Sequence, residues 1–173
     1  MSAADYDAVR RIRDHPETAR WVNTIVAPDG ESFARSAESA RRAGKLLHLA
    51  IIDRSDLHYL GEIVLFLRAA EAAELHIGEI AYVIDPAARG RGIAPSAVRL
   101  LSAWAFERLG LQRLQLSIHP DNAPSHRVAE KASYRFEGTI RSQKVIRGVR
   151  VDSVLYSRLP TDAPPPGPEA AHR

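Results

Sequence analysis

The hydrophobic pattern of this chain changes period several times. Between residues 4 and 22 the apolar positions Val9, Ile12 and Trp21 stand among charges. That spacing predicts one or two short helices, interrupted at His15-Pro16 because the residue before a proline avoids the helical region. Glu31–Gly44 is rich in Ala, Arg and Ser and closes on a glycine, which predicts a helix with a glycine stop. The pattern then becomes nearly continuous. Leu46–Ile52 and Leu57–Leu67 flank the polar Asp53-Arg-Ser-Asp56 and predict a β-hairpin. Arg68–Glu74 reads as a linker, and Leu75–Asp85 as a strand ended by Pro86. From about Ala94 to Leu109 the period is helical, with Val98, Leu101, Ala105 and Leu109 on one face and Gly110 as the stop. Arg113–Ile118 alternates and predicts a strand. Strand, crossover helix and strand in this order imply a parallel pair. Asn122–Ala132 reads as a short helix. Tyr134–Arg141 and Lys144–Ser157 read as two closing antiparallel strands, with a turn near Arg147-Gly148. Residues 160–173 carry five prolines and read as a disordered tail, leaving one domain over 1–159.

Composition narrows the classes. A hydrophobic fraction of 45% over 173 residues is enough for one domain with a real core. No apolar run is long enough to cross a bilayer, so no membrane association is expected. The opening Met1-Ser-Ala-Ala-Asp-Tyr-Asp has no signal-peptide pattern, and a cytoplasmic location is expected. The absence of cysteine excludes disulfides, thiolate metal sites and a cysteine nucleophile. The seven histidines show no metal-ligand spacing, so no metal is expected. Net charge is +3, and Lys45, Lys131 and Lys144 are the only lysines among 24 basic residues. With aromatics at 6% and no basic run interleaved with them, nucleic acid is not an expected partner.

The segment with the most chemistry is Ile80–Leu101. It reads as a buried strand, a turn holding Arg89-Gly-Arg-Gly92, and a helix with Pro95 in its first turn. Gly90 and Gly92 let the backbone turn sharply and bring its N–H groups close to a ligand. The unbonded N–H groups and positive dipole end of the helix face the same place, which suits a phosphate. A nicotinamide fingerprint is disfavoured because Gly90-x-Gly92-x-x-Pro95 lacks its third glycine. A P-loop is excluded because no Gly-Lys-Ser/Thr follows.

These elements together resemble the GNAT superfamily of acyl-CoA N-acyltransferases over about residues 5–159. The family's pyrophosphate signature, Gln/Arg-x-x-Gly-x-Gly/Ala, stands here as Arg89-Gly-Arg-Gly92-Ile-Ala94, after Asp85-Pro86 and before Leu116-Ser-Ile-His-Pro-Asp-Asn122. Within the superfamily the nearest branch is that of the ribosomal-protein N-terminal (RimJ/RimL-like) acetyltransferases. Its motif is similar to Asn122-Ala-Pro-Ser125-His-Arg127-Val128-Ala-Glu130-Lys131-Ala-Ser133-Tyr134, and the ending Gly148–Leu159 is also similar. The resemblance implies an α/β fold: one domain with a mixed, mostly antiparallel sheet, whose two central parallel strands splay to admit acetyl-CoA. Two departures stand out. Ser133-Tyr134 replaces Gly-Phe, placing Ser where a turn wants positive φ. The branch also opens with a strand ending in Arg-Pro before the segment matching Asp5, so the first strand is expected to be missing here. That would leave a sheet edge open to another segment or to a second copy, as in a homodimer.

The resemblance further implies acetyl transfer from acetyl-CoA to a primary amine by direct attack. The amine must lose a proton, the carbonyl oxygen needs a donor, and the leaving thiolate needs stabilisation. The turn from Arg89 through Gly90, Arg91, Gly92 and Ile93 to Ala94 would hold the pyrophosphate through backbone N–H groups. Backbone groups of Tyr82, Val83 and Ile84 would pair with the pantetheine arm, with the Val83 N–H meeting the thioester oxygen. Glu79, on the cofactor-bearing strand, is the first choice for general base, acting through a water; Glu62 is the alternative. Asn122 would contact the cofactor. Position 129, where many members carry a tyrosine acid, is alanine, so Ser125 would bond the sulfur, although Asn122 and Ser125 also suit a helix cap. His119 could face the cleft or simply the surface. Arg127 and Lys131 could meet the ribose phosphate or solvent, and Trp21, Tyr59 and Phe66 could shape the acceptor site or the core. The acceptor is expected to be a protein or peptide N-terminal amine. Alternatives are a small-molecule amine such as an antibiotic or polyamine, or a non-catalytic acyl-CoA-binding domain. A narrow, acidic acceptor cleft would favour a small amine and a wide trough a peptide.

Overall fold

The computed structural model describes residues 1–23, 27–68 and 76–162. Most of the tail expected to be disordered and most of the expected linker therefore lie outside the described residues.

Helix α1 spans Tyr6–Asp14 and α2 spans Pro16–Ala19, separated by extended His15 as the proline predicts. Helix α3 spans Gly30–Arg42. Its N-terminus is capped by Asp29, whose carboxylate accepts from Ser32 N–H at 2.7 Å, and Gly44 follows its end at φ +64°. Six strands follow with two more helices: β1 (Leu46–Ile52), β2 (Tyr59–Arg68), β3 (Ile77–Ile84), α4 (Ile93–Leu109), β4 (Arg113–Ile118), α5 (Ala123–Lys131), β5 (Arg135–Ile146) and β6 (Val149–Arg158).

They form one mixed sheet in the order β1-β2-β3-β4-β6-β5, antiparallel except for the β3–β4 pair. Ile80 of β3 and Leu114 and Leu116 of β4 bury against Val98, Leu101 and Ala105 of α4. Burying each large aliphatic side chain stabilises the fold by roughly 1.5–3 kcal/mol. The opposite face carries α1–α3, where Tyr6, Val9 and Phe33 form a smaller cluster.

One expectation needed adjustment. The gap expected between Arg141 and Lys144 is not a break. β5 runs through it as a bulged strand, with Ser142 at φ +54° and its N–H donated to Asp152, so the irregularity is absorbed within the ladder. The hairpin turn does lie at Arg147-Gly148, both at positive φ, as a tight turn requires. Among the described residues no strand precedes α1, and β1 is an edge of the sheet; the Met1 ammonium donates to His48 O there at 3.3 Å.

The feature that makes a site is the divergence of β3 and β4. Their register covers only Ile77–Arg113, Gly78–Leu114 and Glu79–Gln115. Beyond that point the two strands part, and backbone that a parallel neighbour would have bonded is left facing a gap.

Candidate active site

The turn between β3 and α4 is shaped by local chemistry. The Asp85 carboxylate accepts from Ala87 N–H at 3.0 Å and pairs with Arg11 of α1 at 2.9 Å, fixing the exit of β3. Gly90 lies at φ +78° and Gly92, the N-cap of α4, at φ +75°. L-residues with a Cβ adopt this region at a cost, and the turn needs it twice within three residues. Among the described residues the N–H groups of Gly90, Arg91, Gly92, Ile93 and Ala94 take no backbone acceptor; the first such bond is Ser96 N–H to Gly92 O. Together they form an anion cradle at the positive end of a 17-residue helix.

A cleft of about 270 Å³ opens over this cradle. Its lining includes Tyr82, Val83 and Ile84 of β3, the turn residues Arg89, Gly90, Gly92, Ile93 and Ala94, and Asn122, Ser125, Arg127 and Lys131 of α5 and its cap. Cationic side chains are present, and among the described residues no carboxylate lines it. A second crevice, about 140 Å³, lies between the parted strands and shares Trp21, Val22, Tyr82, Asn122 and Ser125 with the first. Its farther walls are Ser117 and His119 near the end of β4, Lys144 and Ile146 of β5, and Val151, Asp152 and Ser153 of β6. The two spaces therefore meet at the parted ends of β3 and β4.

The β3 backbone supplies donors in a defined alternation. Asp85 N–H donates to Leu60 O, and the register sets Glu62 opposite Val83, so the N–H groups of Val83 and Asp85 face β2. Tyr82 and Ile84 direct theirs to the β4 side, where β4 has moved away. The Val83 N–H, expected to meet a thioester oxygen, is thus turned toward the sheet, while its neighbours face the gap.

Side chains from the signature turn serve the scaffold. Arg89 donates to Ile84 O at 3.2 Å, to Glu17 at 3.1 Å and to Thr18 at 2.6 Å, locking α2 beside the cradle. Arg91 pairs with Asp53 at 3.6 Å, and its side chain does not line the cleft. The Asn122 side chain caps α5, accepting from Ser125 N–H at 3.3 Å, and both residues line both spaces. Ala129 is fully buried in the core.

The two carboxylate candidates have different surroundings. Glu79 pairs with Lys144 at 3.1 Å and accepts from Gln115 at 3.4 Å. Lys144 also donates to Ser117 O at 3.2 Å and lines the second crevice, so Glu79 stands behind that wall. Glu62 is buried at 2% exposure and pairs at 2.5 Å with both Arg13 and His48. Burial opposes its charge, but hydrogen bonds from His48 and Arg13 outweigh that and hold its carboxyl below the usual range. Glu62 lines neither space and braces α1 against the sheet.

Of the weaker candidates, His119 does line the crevice, packed against Trp21 at 5.2 Å between ring centroids. Its Nδ1 accepts from Asp121 N–H at 3.1 Å, which leaves Nε2 as the protonated nitrogen of the neutral ring. Tyr59 and Phe66 lie elsewhere. Sequence reasoning missed Lys144 and Asp152, which come from the closing hairpin, and Asn23, whose side chain bonds Val145 O at 3.2 Å and Arg147 N at 3.0 Å and straps the α2 side to that hairpin. No local pattern marks Asn23, whose pairing with the hairpin spans more than 120 residues.

Comparison with known proteins agrees with this geometry. Residues 1–135 match the family described as acetyltransferase (GNAT) domain. A probable N-acetyltransferase of Bacillus subtilis, YjcK, is 37% identical over 117 residues, 66% of this chain and 62% of that protein. The L-amino acid N-acetyltransferase AaaT of Escherichia coli is 25% identical over 155 residues, 90% of this chain and 92% of that protein. Mycobacterium smegmatis RimJ, solved in complex with CoA-disulfide, superposes with a TM-score of 0.79 at 22% identity, covering 92% of this chain and 79% of that one. A phosphate-ready helix head beside two parted parallel strands, on a chain matched over most of its length, makes this protein a member of the GNAT acetyltransferase family.

Proposed function

We propose that this protein transfers the acetyl group of acetyl-CoA to a primary amine by direct attack. The observation that carries the reading is the continuity of the two spaces: a carboxylate-free anion cradle leads, past Tyr82, Asn122 and Ser125, into a separate crevice. The residues fit the cosubstrate. The amides of Gly90–Ala94 would take the pyrophosphate, Arg127 and Lys131 a further phosphate, and the backbone of Tyr82 and Ile84 the pantetheine amides. A thioester carbonyl oriented by the outward-facing N–H groups of β3 develops its negative charge against a fixed donor. Asn122 and Ser125 stand at the junction, where the sulfur departs. Glu79 serves as base through a water, by way of the Lys144 wall.

The acceptor amine enters by the second crevice. A protein or peptide N-terminus is the first reading, supported by the resemblance to the ribosomal-protein branch. The second reading, a small amine, is supported by the crevice itself, which is only about 140 Å³, has Asp152 on its wall and is strapped by Asn23. The L-amino acid activity named for AaaT points the same way.

Two experiments test this. Calorimetric titration of acetyl-CoA should give micromolar binding to the native chain and binding about a hundredfold weaker to Gly92→Glu; no binding by a folded native chain would refute the cosubstrate. Thiol release should then be followed with alaninamide, an alanine-initiated hexapeptide and spermidine. Preference for the hexapeptide supports the first acceptor reading, and preference for either small amine the second.

A further inference from the structure

The expectation for Tyr82 concerned its backbone, which would pair with the pantetheine arm. The structure gives the side chain a different setting. Its hydroxyl is buried and has no hydrogen-bond partner among the described residues. A buried hydroxyl without a partner costs free energy, and native folds keep few of them. The ring lies at the junction of the two spaces and lines both. Ser125 approaches it closely enough to oppose the rise in phenol pKa, although no hydrogen bond closes between them. A second orphan, the Ser117 hydroxyl, stands on the other parted strand and lines the crevice. Ser117 alternates to the opposite face of the sheet, so it is the Tyr82 hydroxyl, beside Ser125 where the two spaces meet, that marks a place prepared for a polar group arriving with a ligand.

We propose that the Tyr82 hydroxyl donates a hydrogen bond to the thioester sulfur and holds that bond as the sulfur becomes a thiolate. This rests on the acetyl-transfer reading above. In the step, the amine nitrogen forms the new C–N bond. The C–S bond breaks with its electron pair on sulfur, and the proton shed by nitrogen passes to the base and then to solvent. Tyr82 remains a phenol throughout. Burial pushes that phenol up to about 12, well above a free thiol near 8.5, so it donates a hydrogen bond without surrendering its proton. The hydroxyl therefore acts as a donor waiting for charge, which distinguishes it from a general acid.

The test uses bound CoA, whose thiolate absorbs in the ultraviolet, titrated against pH on the native chain and on Tyr82→Phe. The native protein should lower the midpoint of the bound thiol, and the variant should raise it back by about one pH unit. Acetyl transfer to the best acceptor of the panel should fall about tenfold or more in kcat, with acetyl-CoA affinity within a few-fold of native. Removing one buried oxygen leaves the ring in place, so the variant should fold; Ser125→Ala serves as a second probe, and its loss should be less than additive with that of Tyr82→Phe. An unchanged thiol midpoint with native kcat in Tyr82→Phe would overturn the proposal while leaving acetyl transfer intact. A native chain that binds neither CoA nor acetyl-CoA would instead remove the reading on which it rests.

Discussion

The cradle and the crevice meet at the same strands but are built in opposite ways. The cradle comes from one continuous segment, Asp85 to Pro95, and its chemistry is backbone N–H. The crevice draws on the segment after α2, on β3, β4 and α5, and on the β5–β6 hairpin, and its chemistry is side chain. A site made of backbone in one turn is fixed by local rules: two positive-φ positions and a helix head. A site made of side chains from five elements exists only once the sheet has closed. The cradle should therefore be insensitive to most side chains, and the crevice sensitive to many.

The largest effect should come from outside both spaces. Glu62→Ala leaves Arg13 with no buried carboxylate and loosens the brace under α1, the helix before α2. Breaking such a pair costs about 3–5 kcal/mol, read as a drop in the urea midpoint. The pH dependence has a definite sign. The folded pKa of Glu62 lies below its ordinary value of 4.5, so its contribution is complete above that value and is lost as pH falls through the folded pKa. The variant should lack this part of the acid limb.

Glu79→Gln should lower kcat by about a hundredfold or more while acetyl-CoA affinity stays near native. Equal loss of affinity would place Glu79 in the scaffold of the cradle. Gly92→Glu should weaken acetyl-CoA binding by about a hundredfold, about 2.7 kcal/mol, through positive-φ strain and a like charge at the helix head. No atom stands within 4 Å of a Cβ built there, so the fold should survive. Those two variants, read together, separate the regions: one should lose rate alone and the other affinity.

Smaller effects sharpen the contrast. Asn23→Ala removes the strap to Val145 and Arg147, and should raise the ratio of hexapeptide to alaninamide turnover by about three- to tenfold, roughly 1 kcal/mol, with no change in acetyl-CoA binding. An unchanged ratio would mean the strap does not gate acceptor size. Last, Ser133 sits at φ +60°, a conformation that penalises a residue carrying a Cβ. Ser133→Gly should add about 0.5–1 kcal/mol, measured as a rise in Tm of a few degrees, and touch neither region.

How much of this was legible in the sequence depended on range. The ends of β1 and β4 and the glycine stop of α4 followed from periodicity and punctuation, since each is set by neighbours a few residues away. The parallel pair followed from the strand–helix–strand order. The bulged course of β5 did not, because Ser142 bends within a ladder whose partner residues lie on β6.

For the site, the sequence by itself determined the cradle and nominated Tyr82, Asn122 and Ser125. Its turn residues dictate their own dihedral angles, and a helix exposes its first N–H groups wherever it begins. Only the tertiary structure decided which carboxylate lies near the crevice, which N–H groups of β3 face the gap, and what Arg89 does with its guanidinium. Strand alternation settles a face but cannot say which neighbour departs. The parting of β4 from β3 leaves ladder donors facing a gap, and the packing of α2 turns a signature arginine into a clamp on Thr18 and Glu17. Lys144 and Asp152 reach the site because a hairpin at the far end of the chain closes over strands formed long before it. Such placement depends on long-range contacts, and no local rule encodes those.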